Sequence, residues 1–81
     1  MLSLNYDRKN DILYLGFADK SNSYGDEIED GFVVMRDIIT EKVTGFTIFD
    51  FSEKYKDNKL SDLSFPVAID FDRDVISRIR M

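Results

Sequence analysis

A chain of 81 residues, 43% hydrophobic and 33% charged, can build one compact core and no more, and a domain this short buries only about 60% of the surface its unfolded form exposes. With no cysteine and no histidine, disulfides, thiol chemistry, a Ser-His-Asp triad, an imidazole base and His or Cys metal sites are all excluded within the chain. Sixteen acidic against eleven basic side chains give a net charge of −5, the wrong sign for phosphate-backbone binding, so no direct nucleic-acid contact is expected.

In chain order, Leu2, Leu4 and Tyr6 alternate with Ser3 and Asn5, a period of two that predicts a strand with one buried face. Asp7-Arg8-Lys9-Asn10-Asp11 supplies turn residues whose short side chains satisfy local backbone donors. A return strand follows over Ile12 to Phe17, with Leu13, Leu15 and Phe17 on one face and Tyr14 and Gly16 on the other, the glycine marking a bulge or close packing. The polar run from Ala18 to Gly25 reads as a loop, with Asp26 to Glu29 adding strand. Gly31 breaks the chain before Phe32-Val33-Val34-Met35, a short apolar strand. After a connection over Asp37 to Lys42, a further strand is expected from Val43 to Phe51. In it Phe46 and Ile48 point one way and Phe49 and Phe51 the other. Both faces are then apolar, so the second face needs a cover from another copy or another protein.

The stretch from Ser52 to Ser64 reads as a loop with one helical turn, using Tyr55, Leu60 and Leu63 as contacts. Pro66 confines any preceding helix, and Val67-Ala68-Ile69 suits a short extended segment. From Phe71 the spacing changes: Phe71, Val75, Ile76 and Ile79 share one side of a helix with Asp70 as N-cap, acidic Asp72 and Asp74 in its first turn and Arg78 and Arg80 in its last. Asp74 and Arg78 have the favourable i,i+4 orientation. The expected fold is a single α+β domain over residues 1–81, a small antiparallel meander sheet of four to five strands with a C-terminal helix packed on one face. No window approaches the ~20 apolar residues of a membrane helix and no leader is recognisable, which suits a cytoplasmic protein.

Acid-base chemistry would have to come from Asp, Glu, Tyr or Lys, and Asp7 and Asp11 beside Tyr6 and Tyr14 are the one constellation that local spacing brings together. The functional reading is a small acidic site; the structural reading is that both aspartates secure the turn while the tyrosines pack with their hydroxyls at the rim. The segment Asp26, Glu27, Glu29 and Asp30 offers hard oxygen ligands but not the spacing of an EF-hand loop. It reads first as a solvated strand edge and second as an acidic face for a basic partner. Glycines 16, 25, 31 and 45 stand singly, so no phosphate loop or dinucleotide fingerprint occurs, and neither cofactor nor metal is expected. The phenylalanines suit a core better than a base-stacking platform, because no basic groove accompanies them.

The pattern YDxxxDxLY over Tyr6 to Tyr14, the block Glu27-Ile28-Glu29-Asp30-Gly31-Phe32-Val33 and the block from Gly45 to Ser52 together resemble a family of small prokaryotic proteins classed as a domain of unknown function. The likeness covers about residues 4 to 55, with Arg8, Lys9 and Asn10 at variable positions and the tail from Lys56 to Met81 departing from the shortest members. It implies a compact α+β fold and, through toxin-like genes beside some such families, an antitoxin or immunity role; it supplies no catalytic residues. Three functional readings stand. The first is a protein-interaction module, antitoxin-like or self-associating, that uses Phe49, Phe51 and the acidic segment. The second is a phage-type acidic inhibitor that mimics nucleic acid, and the third a small enzyme of carboxylate and tyrosine chemistry.

Overall fold

The computed structural model describes residues 3–17, 22–60 and 70–79. Five strands form one antiparallel sheet: β1 (Ser3–Asp7), β2 (Ile12–Gly16), β3 (Ser23–Glu29), β4 (Phe32–Asp37) and β5 (Val43–Phe49). The helix α1 (Phe51–Lys56) follows, then a π-helical segment (Asp72–Ile76) that runs on into the α-helical turn α2 (Ser77–Ile79). The strand order is β1-β2-β5-β4-β3. A hairpin and a three-strand meander are thus joined along the β2–β5 seam, with β5 at the centre, in an α+β fold. No helix among the described residues is long and apolar enough to cross a membrane.

Alternation builds the inner face. Leu4 pairs with Leu15, Leu15 with Phe46 and Phe46 with Val34, while Tyr6, Leu13, Ile48 and Phe32 form a second cross-strand row. Leu13, Leu15, Phe32, Val34, Phe46 and Ile48 are fully buried, and Phe51, Leu60, Val75 and Ile79 from the helical segments close the same cluster. Neither helix would persist alone at this length; burial of one side against the sheet stabilises both. Gly16 and Gly45 face each other across the seam, where a Cβ on Gly45 would lie 2.2 Å from the Leu15 carbonyl oxygen. Glycine at 45 therefore permits close packing of β2 on β5, and Gly16 marks that packing rather than a bulge.

Several boundaries differ from the sequence expectation: β4 runs on past Met35 to Asp37, and β2 ends at Gly16 rather than Phe17. β3 begins at Ser23, three residues before Asp26, because its backbone pairs in register with Arg36 and Asp37 despite the polar side chains. β5 ends at Phe49, not Phe51: Asp50 adopts a left-handed conformation with φ 53°, which turns the chain off the sheet and starts α1 on the next residue. The single turn expected after Ser52 is α1 itself. The readings of Leu2, Leu63, Pro66, Val67-Ala68-Ile69 and Arg80 lie outside the described residues.

The C-terminal helix has the expected N-cap and inward face. The Asp70 carboxylate accepts the Arg73 N–H at 3.1 Å, and the Asp74 carboxylate accepts the Asp70 N–H at 3.2 Å. Val75 and Ile79 point into the core. Asp74 makes an ion pair with the adjacent Arg73, at 2.9 Å, and the charge of Arg78 one turn on also favours its ionised form. The segment is tied to the body of the fold at both ends. Tyr55 Oη donates to Asp72, and the Arg8 guanidinium, packed over the Tyr6 ring at 5.5 Å, donates to the Ile79 carbonyl.

Two of the hairpin turns are built alike. In the β1–β2 turn the Asp7 carboxylate accepts the Asn10 N–H, and in the β4–β5 turn the Asp37 carboxylate accepts the N–H groups of Ile39 and Thr40. Each turn then closes on a left-handed acidic residue, Asp11 at φ 57° and Glu41 at φ 61°. Short polar side chains at the first position stabilise such turns by binding the backbone two or three residues ahead.

Candidate functional site

The four residues of the first hairpin do not form one site. Asp7 stays in its own turn, where Asn10 donates from its backbone at 3.2 Å and from its side-chain amide at 2.9 Å. Tyr14 pairs with Asn5 and Thr47 on the opposite face of the sheet from Leu13, so it never meets the aspartates. Tyr6 and Asp11 do meet. The Tyr6 hydroxyl donates to the Asp11 carboxylate at 2.6 Å, and the same carboxylate accepts the Ser52 N–H at 2.9 Å and the Ser52 hydroxyl at 2.7 Å. The Asp11 carbonyl takes the Phe51 N–H at 3.0 Å.

Asp11 is thus the N-terminal cap of α1, supplied from a turn 41 residues away in sequence. Asp50, at the ordinary capping position, makes no side-chain cap bond, because its left-handed backbone aims the carboxylate elsewhere. Partial burial pushes the Asp11 carboxyl upward, but the bonds donated by Tyr6, Ser52 and the Glu53 N–H outweigh it and its pKa lies below the usual value. Burial and the bond to ionised Asp11 push Tyr6 the other way, above 10.0, against smaller opposing effects of Ser52 and Arg8. A general acid or base works best with a pKa near the operating pH. Both members of this pair move away from neutrality, which suits a structural bond and not proton transfer. Ser52 is the partner that local sequence rules missed; its position after a phenylalanine and before Glu53 signals only a helix start.

The acidic segment is broken up. A bulge between Glu27 and Glu29 leaves Glu27 opposite Val33 and Glu29 opposite Phe32, so the simple alternation that would align these two side chains is lost. Glu27 closes its own hairpin by accepting the Gly31 N–H at 3.2 Å, with Gly31 in a left-handed conformation that favours glycine. Asp26 lies 3.9 Å from the Arg36 guanidinium across the strand pair. Asp30 lines a shallow cavity of about 310 Å³ together with Asp50, Glu53, Lys54, Asp57 and Lys59. There the Lys54 ammonium donates to the Phe49 carbonyl, fastening α1 to the end of β5. No group of acidic residues among those described is arranged to hold a metal ion.

Phe49 and Phe51 are separated as well. Phe51 is fully buried at the hub of an aromatic cluster, 5.8 Å from Tyr6, 6.3 Å from Tyr55 and 6.1 Å from Phe71 by ring centroid. It belongs to the intramolecular core and cannot be an interface residue of the folded chain. Phe49 is 38% exposed on the outer face, paired with Ile12. Around it on that face, Tyr14 and Val33 flank Thr47, and Met35 lies opposite Gly45; all are half-buried. The outer face is therefore apolar along its middle three strands, while every fully buried hydrophobic side chain of the described residues joins the cluster on the inner side. No family model, curated protein or solved structure matches the chain. The likeness over residues 4 to 55 is thus supported by no family match.

Proposed function

We propose that the protein is a small acidic interaction module that docks a basic polypeptide partner on the outer face of its sheet, in the manner of an antitoxin or immunity protein. One observation carries the reading: Ile12, Tyr14, Val33, Met35 and Phe49 give that face an apolar centre that the described helices, committed to the inner core, do not use. Contiguous apolar surface of this kind marks interaction sites more often than scattered exposure does. The net charge of −5 favours a basic partner, chiefly by raising the rate of encounter. An enzymatic role finds less support, since the Tyr6–Asp11 pair is engaged in holding α1.

Affinity capture with the intact chain and with Phe49→Asp tests this. The expected result is a basic protein retained by the parent chain and lost with Phe49→Asp, while both chains keep the same far-ultraviolet circular dichroism and melting transition. Retention of the same partner by Phe49→Asp, or no saturable partner for either chain, would refute the assignment. Recovery of a nucleic-acid-processing enzyme through its nucleic-acid groove would favour acidic mimicry instead.

A further inference from the structure

β3 is held to the fold almost wholly by its backbone. It pairs with β4 alone, and no described strand joins its other edge. After Ser23 every residue of the strand is exposed. Its two large apolar side chains, Tyr24 and Ile28, are 40% and 41% exposed, and neither belongs to the core cluster or packs against it. Asp26, Glu27 and Glu29 crowd the strand with like charge. Glu27 uses its carboxylate within the adjoining turn, and Asp26 has only the loose pair with Arg36 at 3.9 Å. One side-chain bond reaches past β4: the Ser23 and Thr44 hydroxyls lie 2.8 Å apart, and Thr44 is buried on β5. Segments with few buried apolar contacts and solvent-exposed backbone bonds are those that open locally, well below the free energy of global unfolding.

We propose that β3 is a gate strand: it detaches from β4 as one unit while the other strands stay folded, and its release turns β4 into an open acceptor edge. The hydrogen-bond register explains why the opening stops there. In an antiparallel ladder, directly opposed residues are bonded at every second pair. The Ile38 N–H donates to the Asn22 carbonyl, so the bonded pairs that follow are Tyr24 with Arg36 and Asp26 with Val34. On the other side the Phe49 N–H donates to the Gly31 carbonyl, so β4 is bonded to β5 at Val33 with Thr47 and at Met35 with Gly45. The amides of Val34 and Arg36 thus serve β3, and those of Val33 and Met35 serve β5. Phe32 and Val34 are fully buried in the cluster and anchor β4 when β3 leaves. The Ser23–Thr44 bond is the latch, because it ties β3 to a strand that does not move. Val33 and Met35 keep their places, so the open form presents the apolar outer face with unpaired N–H and C=O groups beside it. An extended segment of another polypeptide joins a sheet at such an edge by strand addition. The release is a property of this chain alone and does not depend on the docking of a basic partner.

Native-state amide hydrogen exchange of the purified chain, followed by NMR across low urea concentrations, tests the gate. The Tyr24, Asp26, Val34 and Arg36 amides should share one opening equilibrium with a common urea dependence and, after correction for intrinsic rates, exchange roughly a hundredfold faster than Leu15 and Phe46 at the centre of the sheet. Val33 and Met35 should stay with the slow group. Val75→Ala, in the core and away from β3, should speed the slow group and leave the fast group unchanged. Ser23→Ala should speed both groups by the same factor of roughly three to ten, since one hydrogen bond is lost in either opening. In a Tyr24→Cys/Arg36→Cys chain the opposed residues lie within disulfide reach, and the sequence holds no other cysteine. Oxidation of that chain should slow the Asp26 and Val34 amides roughly tenfold or more, and reduction should restore them. Val33 and Met35 exchanging together with Val34 and Arg36 would mean that β3 and β4 open as a pair. Separate rates for the edge amides with no urea dependence would mean fraying, and protection equal to that of Leu15 would mean no gate. Each of these results overturns the proposal, as does an oxidised chain that exchanges like the reduced one.

Discussion

Replacing Asp11 by alanine removes, in one step, the acceptor for the Tyr6 hydroxyl, the Ser52 N–H and the Ser52 hydroxyl. Loss of a helix cap costs typically about 1 kcal/mol. Alanine must also take the left-handed backbone at φ 57°, which adds roughly 1 to 2 kcal/mol that aspartate or glycine largely avoids. The sum, about 2 to 3 kcal/mol, is a large share of the roughly 4 to 12 kcal/mol expected for a domain of this size and lowers the melting temperature by roughly 10 to 20 °C. Asp11→Gly keeps the backbone but not the cap and should lie between, and Asp11→Asn, which still accepts the Ser52 N–H, should be the mildest. Urea titration of the three variants gives the order directly. The pH dependence supplies an independent check. The folded pKa of Asp11 lies below its unfolded value of 3.8, so its stabilisation is complete above that value and is lost as pH falls through the folded pKa. The acid limb of the stability curve below about pH 4 should therefore flatten in Asp11→Asn. An Asp11→Ala chain within about 0.5 kcal/mol of the parent would refute the borrowed-cap reasoning, and a destabilisation equal in glycine and alanine would refute the backbone contribution.

Other substitutions separate the remaining assignments. Phe51→Ala should cost about 3 to 5 kcal/mol and Phe49→Ala about 1 kcal/mol or less in chemical denaturation, the reverse of what an exposed Phe51 would give. Gly45→Ala pushes a methyl group against the Leu15 carbonyl and should cost about 1 to 3 kcal/mol, with amide exchange accelerating along β2 and β5 before β3. Tyr6, whose folded pKa is raised above the unfolded 10.0, contributes stability that is complete below that value and is lost as pH rises through the folded pKa; Tyr6→Phe should reduce the alkaline limb above about pH 10, leaving the part that Tyr55 supplies.

The first hairpin and the C-terminal helix were legible because their signals are local: alternation in Leu4 and Tyr6 against Leu13 and Leu15, and the spacing of Phe71, Val75 and Ile79 behind Asp70. Phe51 was not legible. Its spacing from Phe49 imitates a continuing strand, and the left-handed Asp50 that ends β5 leaves no mark that local propensity rules can read. The role of Asp11 was half legible: its place in a turn follows from the sequence around it, but its bonds to Ser52 join two segments that only the β2–β5 pairing brings together. The bulge in β3 hid in the same way, since Glu27-Ile28-Glu29 alternates well on paper while the tight turn at Asp30-Gly31 shifts the register. Of the candidate surface, the apolar second face was readable from β5, and its neighbours Ile12, Val33 and Met35 only from the sheet order.

The β2–β5 seam also has a kinetic consequence. β1 with β2, and β3 with β4 and β5, pair across short turns, so each unit can form by contacts between near neighbours. The seam must instead close a long segment of chain around Gly16 and Gly45 before its contacts give any return. Joining the two units is the expected rate-limiting event, and the Asp11–Ser52 bonds form with it, because they span the same gap. Substitutions at Leu15 and Gly45 should then slow folding in stopped-flow experiments, whereas substitutions in β3 should mainly speed unfolding. Until the seam closes, both β2 and β5 present unpaired edges, so the interval before closure is when this small chain is most open to pairing with the wrong strand.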